Sequence, residues 1–257
     1  MKLDVLFFGA HPDDVELSAG GTVAKLVKLG YQVGICDLTR GEAGTRGSAE
    51  LRDKEARDAA TILGVSERVN CNLPDTVFKN TRENQLKVIE IIRGYQPEFV
   101  FVHYWNDRHP DHIHASDLVR ESTFYAGLPK IETAISGKPQ AAFRPRRIIY
   151  YAARYEFSRT DGSAFVVDIT DTFQTKIKAM EAFSSQFYNP AYQSEEQDTY
   201  ISTKEFRGVI ESRARHYGSL IDAPYGEPFL TQEHLSVPDP IDFFRKGGQD
   251  INKLGFA

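Results

Sequence analysis

Hydrophobic positions in the first half of the chain fall in short, nearly continuous runs separated by amphipathic stretches. Leu3 to Ala10 (LDVLFFGA), Gln32 to Leu38 (QVGICDL), Val69 to Leu73 and Glu98 to His103 (EFVFVH) are such runs. They predict strands buried on both faces. The intervening pattern predicts helices over Val15 to Leu29, Ala49 to Leu63, Arg82 to Arg93 and up to about Ala126. Leu17, Val23, Leu26 and Val27 form the inner face of the first helix, and Gly30 and Gly64 stop the first two. Regular alternation of strand and helix implies βαβ crossovers. The expected fold is therefore α/β and Rossmann-like: a mostly parallel sheet with helices on both faces.

The second half is less regular. Arg147 to Ala153 and Ala164 to Ile169 read as strands, Asp171 to Phe187 and Arg207 to Tyr217 as helices, with Thr170 or Asp171 as the N-cap of the former. From Ala223 the chain carries Pro224, Pro228, Pro238 and Pro240, which predict an extended arm with little regular structure. We read residues 1–257 as one domain. Residues 1–127 are its regular half and carry the chemistry; residues 128–257 supply capping strands, helices and the arm. That arm holds Phe229, Leu230, Leu235, Phe243 and Phe244, apolar surface that burial in a homo-oligomer would cover.

Composition removes several function classes. Lys and Arg number 31 against 36 Asp and Glu, a net charge of −5, so a general nucleic-acid binder is not expected. Cys36 and Cys71 are the two cysteines, and both lie in or beside apolar runs, which leaves no disulfide framework and no Cys-rich zinc module. The start, MKLDVLFFGAHPDD, does not read as a signal peptide, and no stretch approaches the ~20 apolar residues of a membrane span. A cytoplasmic protein without membrane contact is the expectation.

In an open α/β sheet, ligands bind beyond the carboxyl ends of the strands where strand order reverses, between strands 1 and 4 in the commonest order. After strand 1 come His11-Pro12-Asp13-Asp14; after strand 4 comes WNDRHPDH, with His109, Asp111 and His112. The topology thus predicts that the two densest His/Asp clusters meet. His11 and Asp14, three residues apart at a strand-to-helix turn, point into one crevice. With an imidazole from the second loop they form a three-ligand site that leaves a position open for water. Asp13 remains beside it as a base. The bland alternatives are that Asp13 and Asp14 cap the first helix and that His103 is a packed core histidine. HPDD offers carboxylates where a phosphate-binding turn needs glycines, TRGEAGTRGS lacks a P-loop pattern, and Ser18 sits in no nucleophile elbow.

AHPDDVELSAGGT, followed by TRGEAGTRG, LRxxEA and RHPDH, resembles the LmbE-like zinc deacetylases, which act on N-acetylglucosaminyl compounds. FVVDITDTFQTKIKAMEAFSSQFYNP, TYISTKEF and ESRARHYGSLI are similar to the bacillithiol-biosynthesis branch, whose substrate is N-acetylglucosaminyl-malate. The resemblance implies zinc ligands at His11, Asp14 and His112 and a general base at Asp13. It implies that His109 acts as acid or oxyanion stabiliser and that Asp111 pairs with and orients it; a helix N-cap is the plain alternative for Asp111. Glu42, Arg52 and Asp75 match sugar- or substrate-contacting positions. We add Arg46, because a malyl carboxylate needs cations and Arg40, Arg46 and Arg52 flank the same loop. Ferrous iron suits the same donors as zinc. The arginines have an alternative role, pairing with Glu42, Glu50 and Glu55. Either Tyr188 or Tyr192 could supply a phenol, and the segment ARYEFSRTDGS, which departs from the branch's pattern, borders the expected pocket. The implied function is removal of acetate from an N-acetylglucosaminyl conjugate. The alternatives are another such conjugate or a chito-oligosaccharide, and, in a different class, a non-catalytic nucleotide-binding domain.

Overall fold

The computed structural model describes residues 1–153, 156–158 and 161–247. The regular half runs β1 (Val5–Gly9), α1 (Asp14–Lys28), β2 (Val33–Asp37), α2 (Ala49–Leu63), β3 (Glu67–Asn70), α3 (Arg82–Tyr95), β4 (Phe99–His103) and α4 (Pro110–Ala126). A small hairpin follows, β5 (Ala134–Ile135) and β6 (Lys138–Pro139), then β7 (Arg147–Tyr151), β8 (Ser163–Asp168) and α5 (Phe173–Glu181). A 3₁₀ turn at Tyr200–Ser202, α6 (Phe206–Ser219), β9 (Gly226–Thr231) and α7 (Pro240–Gly247) complete it. Local chemistry sets the helix ends. Ser48 and Thr81 accept from the amides of Leu51 and Asn84, and Gly64 closes α2 at φ 73°.

The main sheet has the order β3-β2-β1-β4-β7-β9-β8. Strands β3, β2, β1, β4 and β7 are parallel, with Val5 opposite Val33 on one side and Phe99 on the other. β9 runs antiparallel to both β7 and β8. Alternation along β1 divides the core. Phe7 packs in the layer with Ala19 and Val23 of α1 and Ile177 of α5; Leu6 and Phe8 pack with Ile89 and Ile92 of α3 and Leu118 of α4. No helix among the described residues is long and apolar enough to cross a membrane.

Three expectations change. The third strand lies earlier than expected, at Glu67–Asn70, because Arg68 forms a buried ion pair with Glu16 and Asp37 and so belongs to the sheet. The helix expected over Asp171 to Phe187 is shorter, and its N-cap is Thr172, whose hydroxyl bonds to the carbonyls of Gly21 and Ile169 instead of capping. The largest correction concerns the tail, which is not simply an arm. Residues 226–231 are a fully buried strand of the main sheet, with Phe229 and Leu230 both 0% exposed. Pro228 lies one residue beyond the part of β9 that pairs with β7. The chain's own sheet therefore covers two of the residues that suggested an oligomer. Leu235 and Phe243 stay exposed, and the side chain of Phe244 and residues 248–257 lie outside the described residues.

Candidate active site

β1 and β4 are neighbours, and the loops leaving their carboxyl ends converge on a cleft of about 330 Å³. Its lining includes His11, Asp13, Asp14, Asp75, His109 and His112. The turn after β1 is tight. The amide of His11 donates to Asp14 Oδ2 at 2.8 Å, and Asp13 sits at φ 115°, a strained backbone for a residue with a side chain. Asp13 occupies the N-cap position of α1, yet its carboxylate caps nothing. It meets Arg52 Nη2 at 3.2 Å instead.

Donor atoms of His11, Asp14 and His112 all lie within 4.8 Å of one another, and so do those of the overlapping set His11, His109 and Asp111. The first set suits a divalent ion: two imidazoles and a carboxylate, with His112 Nε2 3.2 Å from Asp14 Oδ1. His112 Nδ1 is buried and faces Asp107 Oδ1 at 3.4 Å, the arrangement by which a carboxylate orients a ligating imidazole.

Burial and close charges set the protonation of this cluster. Burial pushes Asp13 up to about 7, against the pull of Arg52. Burial opposes ionisation of Asp14 too, but His112 and His103 hold its carboxyl well below the usual range. His112 overcomes its burial through Asp14 and Asp107 and rises to about 9. His11 overcomes its own through hydrogen bonds with Asp111, Asp14 and Asp75. His109 is lowered by burial and by the charges of His112 and His11, which favours its neutral form.

The remaining expected residues divide. Asp75 reaches the cleft, 3.0 Å from His11 Nε2, and accepts the amide of Ala43. Glu42 is exposed and accepts the amides of Asp75 and Arg40, so it clips two loops together and does not line the cleft. Arg52 lines it, but its guanidinium is committed to the carbonyls of Gly41 and Pro12 as well as to Asp13. Gly41 sits at φ 67°, a left-handed backbone that favours glycine, and a Cβ there would push against Arg52 Nη1. Arg46 points elsewhere, to Ser185 O and Asp198. Arg40 pairs with Asp53 and Glu50. Glu55 holds Ser184 and Ser185 and does not form an exposed pair with Arg52.

Asp111 corrects the pairing that the resemblance implies. Its backbone amide, at 3.2 Å, is what holds His109 Nδ1, while its carboxylate meets His11 Nε2 and the amide of Thr76. The N-cap of α4 is His109 itself. Neither Tyr188 nor Tyr192 lines the cleft: Tyr192 donates to Glu196, and Tyr188 borders a separate cavity. Of ARYEFSRTDGS, residues Arg154, Tyr155, Arg159 and Thr160 lie outside the described residues. His103 is the core histidine that its position suggests, 0% exposed, but it also accepts the amide of Ala10 and lies 3.2 Å from Asp14. Sequence reasoning missed Asp107 and Arg108. Both lie in the His-rich loop, but nothing in the order DRHPDH says which acid faces which imidazole.

Comparison with known proteins agrees with this geometry. A family model described as PIG-L, GlcNAc-PI de-N-acetylase, matches residues 6–123. Diacetylchitobiose deacetylase of Thermococcus kodakarensis is 31% identical over 195 residues, covering 71% of this chain and 70% of that protein. Among solved structures, the conserved protein TT1542 from Thermus thermophilus superimposes with a TM-score of 0.78 at 32% identity, covering 92% of this chain and 98% of the other. N,N'-diacetylchitobiose deacetylase from Pyrococcus horikoshii gives 0.71 at 28% identity, covering 88% and 82%. With the His/Asp cleft at the β1–β4 junction, these matches place the chain in the PIG-L, LmbE-like family of N-deacetylases.

Proposed function

We propose that this protein removes acetate from an N-acetylglucosaminyl conjugate with a divalent ion, zinc or ferrous iron, held by His11, Asp14 and His112. The observation that carries this reading is the convergence of those donor atoms within 4.8 Å, with Asp13 beside them. An ion held there supplies Lewis acidity, polarising the amide carbonyl and lowering the pKa of water towards ~7. Asp13, pushed up to about 7, takes the proton of the attacking water. Arg52 anchors that carboxylate and the carbonyl of Pro12, fixing the strained turn. His109, fixed by the amide of Asp111, stabilises the tetrahedral intermediate or protonates the leaving amine. Asp111 and Asp107 orient His11 and His112.

For the aglycone we propose malate, and with it a place in bacillithiol biosynthesis and a cytoplasmic setting. The support is the sequence resemblance of the second half. Among the described residues Arg40, Arg46 and Arg52 are held by acceptors of the protein itself, so the cation that suits a malyl carboxylate is exposed Arg108 at the mouth of the cleft. Similarity to diacetylchitobiose deacetylases favours a chito-oligosaccharide as the second reading. A homo-oligomer belongs to the proposal through exposed Leu235, Ile241 and Phe243, and light scattering checks it. The decisive experiment measures acetate release from N-acetylglucosaminyl-malate, diacetylchitobiose and N-acetylglucosamine, with and without chelator. Release from the malyl compound that chelator abolishes is the expected result. A preference for diacetylchitobiose selects the second reading, and chelator-insensitive release overturns the metal.

A further inference from the structure

The cleft has a second compartment. A cavity of about 160 Å³ adjoins it, and Leu17, Arg108, His109, His112 and Ile201 line both spaces. The two differ in chemistry. The first is walled by Asp75, Gln186 and residues 43–45, polar surroundings that suit the hydroxyls of a sugar. The second is walled by Ala153, Tyr200, Ile201, Phe206, Val209 and Ile210. Of its polar neighbours, Asp107 is engaged with His112 and the amide of His109 and Arg213 with the carbonyls of Ala152 and Ala153, while Arg108 belongs to the wall shared with the first compartment. Tyr200 and Val209 nevertheless leave 52% and 44% of their surface exposed at its rim.

We propose that this compartment receives the acyl chain, so that the enzyme hydrolyses N-acyl amino sugars with chains of up to about six carbons and is not confined to acetyl. The inference rests on the deacetylase reading and extends it. The reacting amide lies at the shared His109–His112 wall, and its two substituents leave in opposite directions. A sugar placed in the apolar compartment would leave its hydroxyls without partners, which is costly. An alkyl chain there loses nothing and gains about fourfold in affinity per buried methylene. The volume is sufficient, since an apolar cavity of about 150 Å³ admits benzene.

The test uses N-acetyl-, N-butanoyl-, N-hexanoyl- and N-decanoylglucosamine with the metal-loaded protein, following release of the amine. KM should fall by about fourfold per methylene as far as hexanoyl and rise again at decanoyl. Val209→Trp, a change on an exposed face of α6, should raise KM for hexanoyl at least about tenfold more than for acetyl, as filling a pocket by more than a methylene does. Calorimetry of the product carboxylates supplies a readout without turnover. Hexanoate should bind more tightly than acetate to the wild type, and Val209→Trp should remove the difference. Acetyl turnover with a butanoyl kcat/KM about 100-fold lower, the discrimination of a closed pocket, overturns the compartment and leaves the deacetylase reading intact. So does a Val209→Trp effect that follows a hexyl aglycone in place of the acyl chain. No turnover of any amide, with hexanoate still preferred in calorimetry, overturns the deacetylase reading and keeps the compartment.

Discussion

Replacing Lys176 by Met should cost about 3–5 kcal/mol of stability, the range for removing one partner of a buried ion pair. Lys176 Nζ lies 2.5 Å from Glu227 Oε1, and each side chain is only 3% exposed. The same carboxylate accepts the amides of Gly21 at 3.0 Å and Thr22 at 2.7 Å, while Lys176 donates to Leu17 O at 2.8 Å. The pair thus ties α5 and β9 to the middle of α1, the helix that begins with Asp14. Gly20 permits the approach: a Cβ there would stand 3.3 Å from Lys176 Cγ. Methionine keeps the length of the lysine stem and removes the charge, so Glu227 keeps two N–H donors but loses the cation in contact with it, leaving only the more distant Arg213. For a chain of this size each kcal/mol is worth about 2–4 °C, giving a fall in Tm of roughly 6–20 °C. In urea, with a slope of about 3 kcal/mol/M, the midpoint should move by about 1–2 M. Fluorescence of Trp105, the single tryptophan, reports the transition. Glu227→Gln alone should cost a similar amount, and the double variant much less than the sum, because each single change strands the other group. Additive losses, or a single-variant loss under about 1 kcal/mol, would refute the argument that a buried charge is stripped of its contacting partner.

Asp13→Ala should retain the metal while losing most activity, measured by metal analysis beside acetate release; loss of metal in step with activity would make Asp13 a ligand. His109→Ala should lower kcat by about 100- to 1000-fold with little change in KM, since its partner is charge that develops in the transition state. Asp107→Ala should weaken metal affinity by about 10- to 100-fold, read by competition with a chelating dye, because His112 loses the carboxylate that orients it. Arg52→Ala should lower kcat/KM equally for N-acetylglucosaminyl-malate and free N-acetylglucosamine, because its guanidinium holds Asp13 and Pro12; a selective loss on the malyl compound would return it to direct substrate contact.

The sequence by itself determined the regular half and where its chemistry lies. Strands buried on both faces must be apolar throughout, so VLFFG and FVFVH announce themselves, and caps such as Ser48 and Gly64 act within a few residues of where they stand. Once strand 1 is read as the neighbour of strand 4, HPDD and RHPDH must meet, so a His/Asp cluster follows from chain order; that His112 joins His11 and Asp14 is what the family resemblance added. Tertiary structure decided what depends on distant partners. GEPFLT holds a proline and a glycine and reads as part of an extended arm, yet it becomes a strand paired on both sides because β7 and β8, far away in sequence, both offer it an edge. Arg46 and Arg52 are six residues apart in similar surroundings. One meets Asp198 and the other Asp13, because a side chain's direction is set by the acceptors that packing brings near it. The same holds for Asp111, whose carboxylate turns to His11 while its amide serves His109, and for the apolar compartment, whose walls come from α1, the loop after β7, the Tyr200–Ser202 turn and α6. Periodicity reports which face of an element is buried, but not which other element buries it.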